Sequence, residues 1–487
     1  MTYYFGVDIG TSSSKAVVVD GAGTVLRSAV REHSVDRPRP GHVEMDGELW
    51  WYETRSLIEE LTGGVEIAGV GVSGMGPCTL LTGADGVPLR PAVLYGVDTR
   101  ATEQIAALTT RLGGPDAILA RCGSVLSSQA VGPKLAWLAE HEPEMFARAR
   151  RLFMPASWLA YRLTGSYVLD FHSASQCTPL FDTHALDWHR PWAEPIAPGL
   201  ELPPLVWPGD VAGHTRERIG GIPAGTPVVA GTIDAWTEAV SVGAQRPGDL
   251  MLMYGTTMFL IATVDRPVAT PAMWGTVGAL PGTRSLAGGM ATSGAVTAWL
   301  RELTGAEYPA LLAEAEASGA GARGLLMLPY LAGERTPIMD PDARGIVAGL
   351  TLSHTRGDLY RAALEATALG VRHNVEALRA AGAPIRRVVA VGGGTRGGLW
   401  TRIVSDVTGL PQVVPRVTIG AAYGAAFLAA AAHGPADIDA WNPAAETVEP
   451  DPAARAGYDE LYALYRDLYP ATRTIAHTLA ARQRLLA

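Results

Sequence analysis

Gly6-Val7-Asp8-Ile9-Gly10-Thr11-Ser12-Ser13-Ser14-Lys15-Ala16-Val17-Val18-Val19 opens the chain, and Leu252-Met253-Tyr254-Gly255-Thr256-Thr257-Met258-Phe259-Leu260-Ile261 echoes it half a chain later. Each stretch is an apolar strand, a Gly-Thr turn carrying hydroxyls, and a second apolar strand. The pattern predicts a hairpin whose tip can hold phosphate, because glycine lets backbone N–H groups approach an anion and Thr and Ser add neutral donors. Two such tips, one per half, would grip one polyphosphate from both sides. The expectation is a two-lobed nucleotide enzyme with its site in the cleft.

At 487 residues the chain is long for a single core, and two large domains divided near the Gln245-Arg246-Pro247-Gly248-Asp249 turn fit the echo. The expected division is 1–245 and 246–487. Apolar residues at 48% and charged residues at 18% describe a well-buried globule. A net charge of −9 without a basic cluster argues against nucleic acid or an anionic membrane as the main partner. Cys78, Cys122 and Cys177 are too few and too scattered for a disulfide framework or a zinc site, so they are expected as buried thiols in a reducing cytoplasm. The N-terminus enters a strand without the regions of a signal peptide. The apolar run 419–432 falls short of the roughly 20 residues a membrane span needs, and is expected as a tightly packed core helix.

Apolar alternation at 3–9, 15–20 and 24–30 predicts an antiparallel meander, followed by a helix over 48–61 and a strand over 67–73. Strands alternating with helices indicate an α/β lobe. Residues 115–205 are richer in helix, Pro, Trp and His, and suggest an insertion that shapes a pocket. In the second half, strands are expected at 324–328 and 387–391, helices at 294–303 and 357–381, and a helical tail over 453–487.

Asp8 lies between the first strand and the Gly10-Thr11 tip. A carboxylate beside a phosphate loop is repelled unless a cation intervenes, so its placement favours Mg²⁺ over a turn-capping role. The hairpin lacks the GxxxxGK[ST] spacing of a Walker loop, so Lys15 is not a phosphate lysine by motif. Asp234 follows a short buried strand at the opening of a helix, where open α/β sheets place functional side chains. It could take the proton of an attacking hydroxyl, or simply cap the helix. Gly392-Gly393-Gly394-Thr395 could lie flat against a nucleotide or form a plain tight turn. Gly333-Glu334-Arg335-Thr336-Pro337 could brace a cleft or be a paired structural turn.

Taken in order, these pieces resemble the FGGY family of carbohydrate kinases. The most specific match is Gly345-Ile346-Val347-Ala348-Gly349-Leu350 followed by Asp358-Leu359-Tyr360-Arg361-Ala362-Ala363-Leu364-Glu365; the GERTP at 333–337 and Pro40-Gly41-His42-Val43-Glu44-Met45-Asp46 with Trp50-Trp51 agree as well. The resemblance implies an α/β fold of two duplicated actin-like (ribonuclease H-like) lobes, as in the sugar kinase, actin and heat-shock ATPase superfamily, closing over ATP and Mg²⁺. It implies that Asp234 is the catalytic base and Asp8 the acidic Mg²⁺ position. Thr11, Ser12 and Ser13 would form the first phosphate loop and Gly255 with Thr256 the second, with Gly294, Gly393 and Gly394 on the nucleotide side.

Within the family the spacing is similar to that of xylulokinases, and the implied activity is transfer of the γ-phosphate of ATP to a ketose, a pentulose first. A hexulose, a deoxy sugar or a polyol is the alternative acceptor, and a non-catalytic sugar sensor or a protein-directed ATPase a distant one. Met75, Asp98, Arg100 and Asp234 are the candidate acceptor contacts, with Trp236 a weaker one. Three departures lie at the sugar end. Gly74-Met75-Gly76-Pro77 stands where those enzymes show Gln-Met-His-Gly, Tyr95-Gly96-Val97-Asp98-Thr99-Arg100 carries one extra residue, and Ala235 follows the catalytic Asp where an amide is usual. The partners implied are a small sugar and ATP, with a homodimer as one possible assembly.

Overall fold

A computed structural model describes residues 1–486. The chain forms two compact units, of which the first comprises 1–246, 263–285 and 419–443, and the second 247–262, 286–418 and 444–487. The chain thus leaves the first unit at Arg246, next to the expected boundary, but returns to it twice. Residues 419–443, which the simple division assigns to the second half, belong to the first unit.

The first unit is built on a mixed sheet. Strands β1 (Tyr3–Ile9), β2 (Ser13–Asp20) and β3 (Val25–Glu32) form the expected meander, and helix α1 (Gly47–Leu61) leads to β4 (Ile67–Gly74), which pairs parallel with β1. Beyond β4 the sheet continues with Pro227–Val229, parallel, and Val211–His214, antiparallel.

β1 and β4 are buried on both faces, which explains their nearly unbroken apolar sequences. On one face Phe5, Val7, Val70 and Val72 share a core with Trp50, Leu57 and Ile58 of α1. The alternate positions, Gly6 and Gly71, lie under the helix Ala421–His433. A Cβ on Gly6 would stand 2.0 Å from the Ala422 carbonyl oxygen, and one on Gly71 1.8 Å from that of Ala425. Small residues on both surfaces therefore let helix and sheet meet backbone to backbone. The Ala- and Gly-rich run expected as a packed helix owes its composition to this contact.

The second unit repeats the plan. β5 (Asp249–Tyr254) forms an antiparallel hairpin with β6 (Met258–Val264) and pairs in parallel with β7 (Arg387–Val391). Gln412–Pro415 follows in parallel and Ala444–Val448 antiparallel. Counted outward from the hairpin, the pairing senses in both units are antiparallel, parallel, parallel, antiparallel. The echo in sequence is thus a repeat of sheet topology, the duplicated actin-like α/β plan. The long helix Arg356–Ala380 begins at a reciprocal capping box between Thr355 and Asp358, and the tail helix Arg455–Leu486 buries Tyr458, Tyr462 and Tyr465 in this unit.

Candidate active site

The strand register places Lys15, Asp8 and Ser73 side by side across β2, β1 and β4. Asp8 shares the sheet face of Gly6, the face covered by the helix Ala421–His433. Helix α2 (Asp234–Ser241) follows the strand Thr232–Ile233, which pairs in parallel with the end of β4. Asp234 thus stands at the carboxyl end of the sheet.

Three carboxylates gather here. Burial raises the Asp8 pKa, and the charges of Asp234 and Glu238 raise it further, while Ser73 and Lys15 work the other way. Asp8 Oδ1 is buried without a hydrogen-bond partner among the described residues. Burial also raises Asp234, opposed by the Ala235 N–H, which donates to Asp234 Oδ1 at 2.7 Å. Glu238, one helical turn beyond Asp234, is pushed up to about 7 by burial first, with Lys15 and the Ala421 N–H opposing. Its i, i+4 spacing from Asp234 puts both carboxylates on one face of α2. Among the described residues no three His, Cys, Asp or Glu side chains converge tightly enough to enclose a metal ion. Asp234 does not cap α2 through its side chain: Ile233 is the N-cap residue, with no side-chain cap bond.

The first loop lies next to these acids. Gly10 N donates to Ser13 O at 3.0 Å, Ser12 is exposed at the tip, and Thr11 Oγ1 lies 2.9 Å from the Tyr95 hydroxyl and 3.7 Å from Met75 Sδ. Met75 itself is buried, its N–H donating to Ile9 O at 2.7 Å. Thr11, Ser12, Ser13, Met75, Asp8 and Asp234 are therefore brought together at one end of the first sheet.

Asp98 and Arg100 form a bidentate pair, with Arg100 Nε 2.9 Å from Asp98 Oδ1 and Nη2 2.7 Å from Oδ2. Asp98 also accepts from the Val43 N–H at 2.6 Å, while Glu44 bridges Arg100 and Arg90. Both side chains are wholly buried in this network, although Arg100 Nη1 has no hydrogen-bond partner among the described residues. Lys134 donates to the carbonyls of Leu94 and Tyr95 at 2.5 and 2.8 Å, and burial lowers its amine to about 8. Trp236 packs in the core, 3.9 Å from the His172 ring centroid, and donates to Ser285 Oγ at 3.1 Å. A Cβ on Gly76 would meet Ile233 Cγ1 at 2.6 Å, so Ile233 fills the space next to that glycine.

In the second unit, the Gly255-Thr256 tip is stitched to the start of the helix Gly294–Thr304. Gly294 N donates to Gly255 O at 2.9 Å, and Ser293 N and Ala295 N each donate to Thr256 O at 3.0 Å. Gly392, with φ 94°, turns against the Tyr254 carbonyl at the end of β5. Gly394 lies flush on Trp400, while Gly393 faces open space. The five nucleotide-side positions therefore collect around the end of the β5–β6 hairpin. The GERTP segment resolves as a paired turn. Glu334 Oε1 accepts from the N–H groups of Ala291 and Arg335, Thr336 Oγ1 donates to Asn374 Oδ1, and burial raises Glu334 to about 7.

Comparison with known proteins identifies the family. The N-terminal domain model of the FGGY family of carbohydrate kinases matches residues 3–241, and the C-terminal domain model residues 250–433. The chain belongs to the FGGY family of carbohydrate kinases. Xylulose kinase of Escherichia coli K12 is 30% identical over 483 residues, covering 96% of this chain and 98% of that protein. Glycerol kinase of Gloeobacter violaceus is 32% identical over 473 residues, covering 92% and 91%. The crystal structure of xylulose kinase from Rhodospirillum rubrum superposes with a TM-score of 0.91 at 32% identity, covering 98% of this chain and 100% of the other. This FGGY kinase is thus a phosphotransferase acting on an alcohol group of a carbohydrate. No helix among the described residues is long and apolar enough to cross a membrane.

Proposed function

We propose that this FGGY kinase transfers the γ-phosphate of MgATP to a hydroxyl of a ketose, a pentulose first, with Asp234 as the base. The observation that carries the reading is the position of Asp234: at the carboxyl end of the first sheet, on the first turn of α2, in the same acid cluster as Asp8 and next to the Thr11 loop. A hydroxyl attacking phosphorus must lose a proton, and a carboxylate whose pKa burial has raised accepts it more readily than an ordinary surface carboxylate. The loop hydroxyls and amides at 10–13 bind and orient phosphate in the first unit.

Asp8 fits the expected Mg²⁺ position. Its buried Oδ1 without a hydrogen-bond partner and the neighbouring charges of Asp234 and Glu238 suit a cation at this place. Bound there, the ion would neutralise phosphate charge. Asp8 and Lys15 then set the charge balance around Asp234. The partners are a small sugar and ATP, and three buried free thiols with an ATP-dependent reaction suit the cytoplasm.

A different acceptor is the second reading, and one observation favours it. Ile233 next to Gly76, with Ala235 after the base, gives the acceptor region an apolar stretch where hydrogen-bonding side chains stand in similar enzymes. A site that lacks polar partners for one hydroxyl pattern favours a substrate with fewer hydroxyls there, such as a deoxy sugar. Coupled ADP release over a panel of ketoses, polyols and deoxy sugars tests both readings. Highest kcat/KM for D-xylulose supports the first, and a preference for a deoxy sugar or polyol the second. Turnover by Asp234→Asn within tenfold of wild type would remove the assigned base.

A further inference from the structure

We propose that His33, oriented by Glu53, is a positioning residue that fixes the backbone of the first phosphate loop; this rests on the reading of residues 10–13 given above. His33 stands immediately after β3 and holds the loop by two separate bonds. Its backbone N–H donates to Ser12 O at 3.0 Å, and its imidazole Nε2 donates to Gly10 O at 3.0 Å. One residue thus takes the carbonyls on both sides of Thr11.

The geometric consequence is specific. The Gly10 carbonyl and the Thr11 N–H belong to one trans peptide and point in opposite directions. Holding the Gly10 oxygen toward His33 turns the Thr11 N–H away from it, outward from the loop, where an anion could accept from it.

The ring is itself held. His33 Nδ1 lies 2.9 Å from Glu53 Oε2, and the same oxygen accepts from Ser14 Oγ at 2.5 Å. The imidazole and the carboxylate are only 4% and 7% exposed. Both ring nitrogens thus face oxygen acceptors, the Gly10 carbonyl on one side and the Glu53 carboxyl on the other. Glu53 is a charged residue on the buried face of α1, among Trp50, Leu57 and Ile58. A carboxylate in that company is costly unless partnered, and its partners here are His33 and, on the strand that leaves the loop, Ser14. Glu53 thereby ties α1, β2 and the loop into one unit. Arg31, the nearest cation on β3, is paired with Glu60 and does not compete.

The test is calorimetric titration of the full chain with MgADP, alongside thermal midpoints, for wild type, His33→Leu, His33→Gln and Glu53→Gln. The Gln amide can still donate to Gly10 O. We expect His33→Leu to weaken MgADP binding by about tenfold, the order of one lost positioning bond, and to lower the midpoint because Glu53 loses a partner. His33→Gln should recover most of the affinity, and Glu53→Gln should fall between the two. Wild-type affinity in His33→Leu would overturn the proposal, and so would a weakening that Gln fails to rescue and that merely follows a lowered midpoint. Failure of the underlying reading looks different: wild type itself would then bind no MgADP, and the proposal would fall with it.

Discussion

Gly71 on β4 and Ala425 on the helix that returns to the first unit approach so closely that a Cβ on the glycine would stand 1.8 Å from the alanine carbonyl oxygen. Gly6 makes the same kind of contact with Ala422, one strand over. Helix α2, which begins at Asp234, belongs to this packing too, because a Cβ on Gly424 would meet the Thr237 carbonyl oxygen at 2.1 Å. The floor under Asp8 and the wall that carries Asp234 are therefore set by contacts without side chains.

Gly71→Ala should accordingly be severe. The obstructing atoms are backbone, so helix or strand must move, and overpacking of this kind costs about 1–3 kcal/mol or more. Gly63, with nothing within 4 Å of its would-be Cβ, is the control. Thermal unfolding should show a marked loss for Gly71→Ala and almost none for Gly63→Ala; equal midpoints would refute the close-contact argument.

Asp234 should leave its mark on the pH profile. Burial raises its pKa to about 6, and a base works only when deprotonated. The acid limb of kcat should therefore fall near pH 6 rather than near the ordinary Asp value of about 4. Asp234→Asn should reduce kcat by about 10²- to 10⁴-fold above the acid limb, with the difference shrinking as pH falls below it. An acid limb at pH 4 in wild type would show that the titrating base is another group.

Asp8 should trade stability for function. Its pKa is raised in the folded state, so the folded protein binds this proton more tightly than the unfolded chain. The stabilisation is fully present below the unfolded pKa and is lost as pH rises through the folded one. Asp8→Asn removes that loss, so its thermal midpoint relative to wild type should rise between pH 4 and pH 8 while kinase activity collapses. A midpoint difference independent of pH would contradict the assignment.

Gly294→Ala probes the second loop. A Cβ there would lie 2.6 Å from Gly255 O, across the hydrogen bond that ties the Gly255-Thr256 tip to its helix. The expected result is a KM for ATP raised about tenfold or more with the KM for sugar little changed, measured by coupled ADP release. A change confined to the sugar KM would place this loop elsewhere in the reaction.

For Asp98→Asn the effect should be on folding first. Removing one member of a buried, bidentate pair leaves Arg100 only Glu44, which Arg90 shares, at a cost of up to about 3–5 kcal/mol. Chemical denaturation should show that loss. A variant of unchanged stability with a raised acceptor KM would instead make Asp98 a direct sugar contact.

The duplicated hairpins, the α/β alternation and the family were legible in the sequence, and so was the position of Asp234 after a short strand, because each is local. A Gly-Thr turn between apolar runs, or an Asp after a short buried strand, carries its meaning within a few residues. The tertiary structure alone decided which neighbours those residues have. The run 419–432 was legible as a packed helix, but its place on the first sheet depends on two glycines about 350 to 400 residues away. The resemblance names Asp98 and Arg100 as acceptor contacts, and only the fold shows that their charges also close on each other and on Glu44, since ions withdrawn from water need partners. His33 and Glu53 gave no signal in the linear pattern. Their meaning comes from β3 ending next to the Gly10 carbonyl and α1 turning a carboxylate toward it, a meeting that only the folded chain creates.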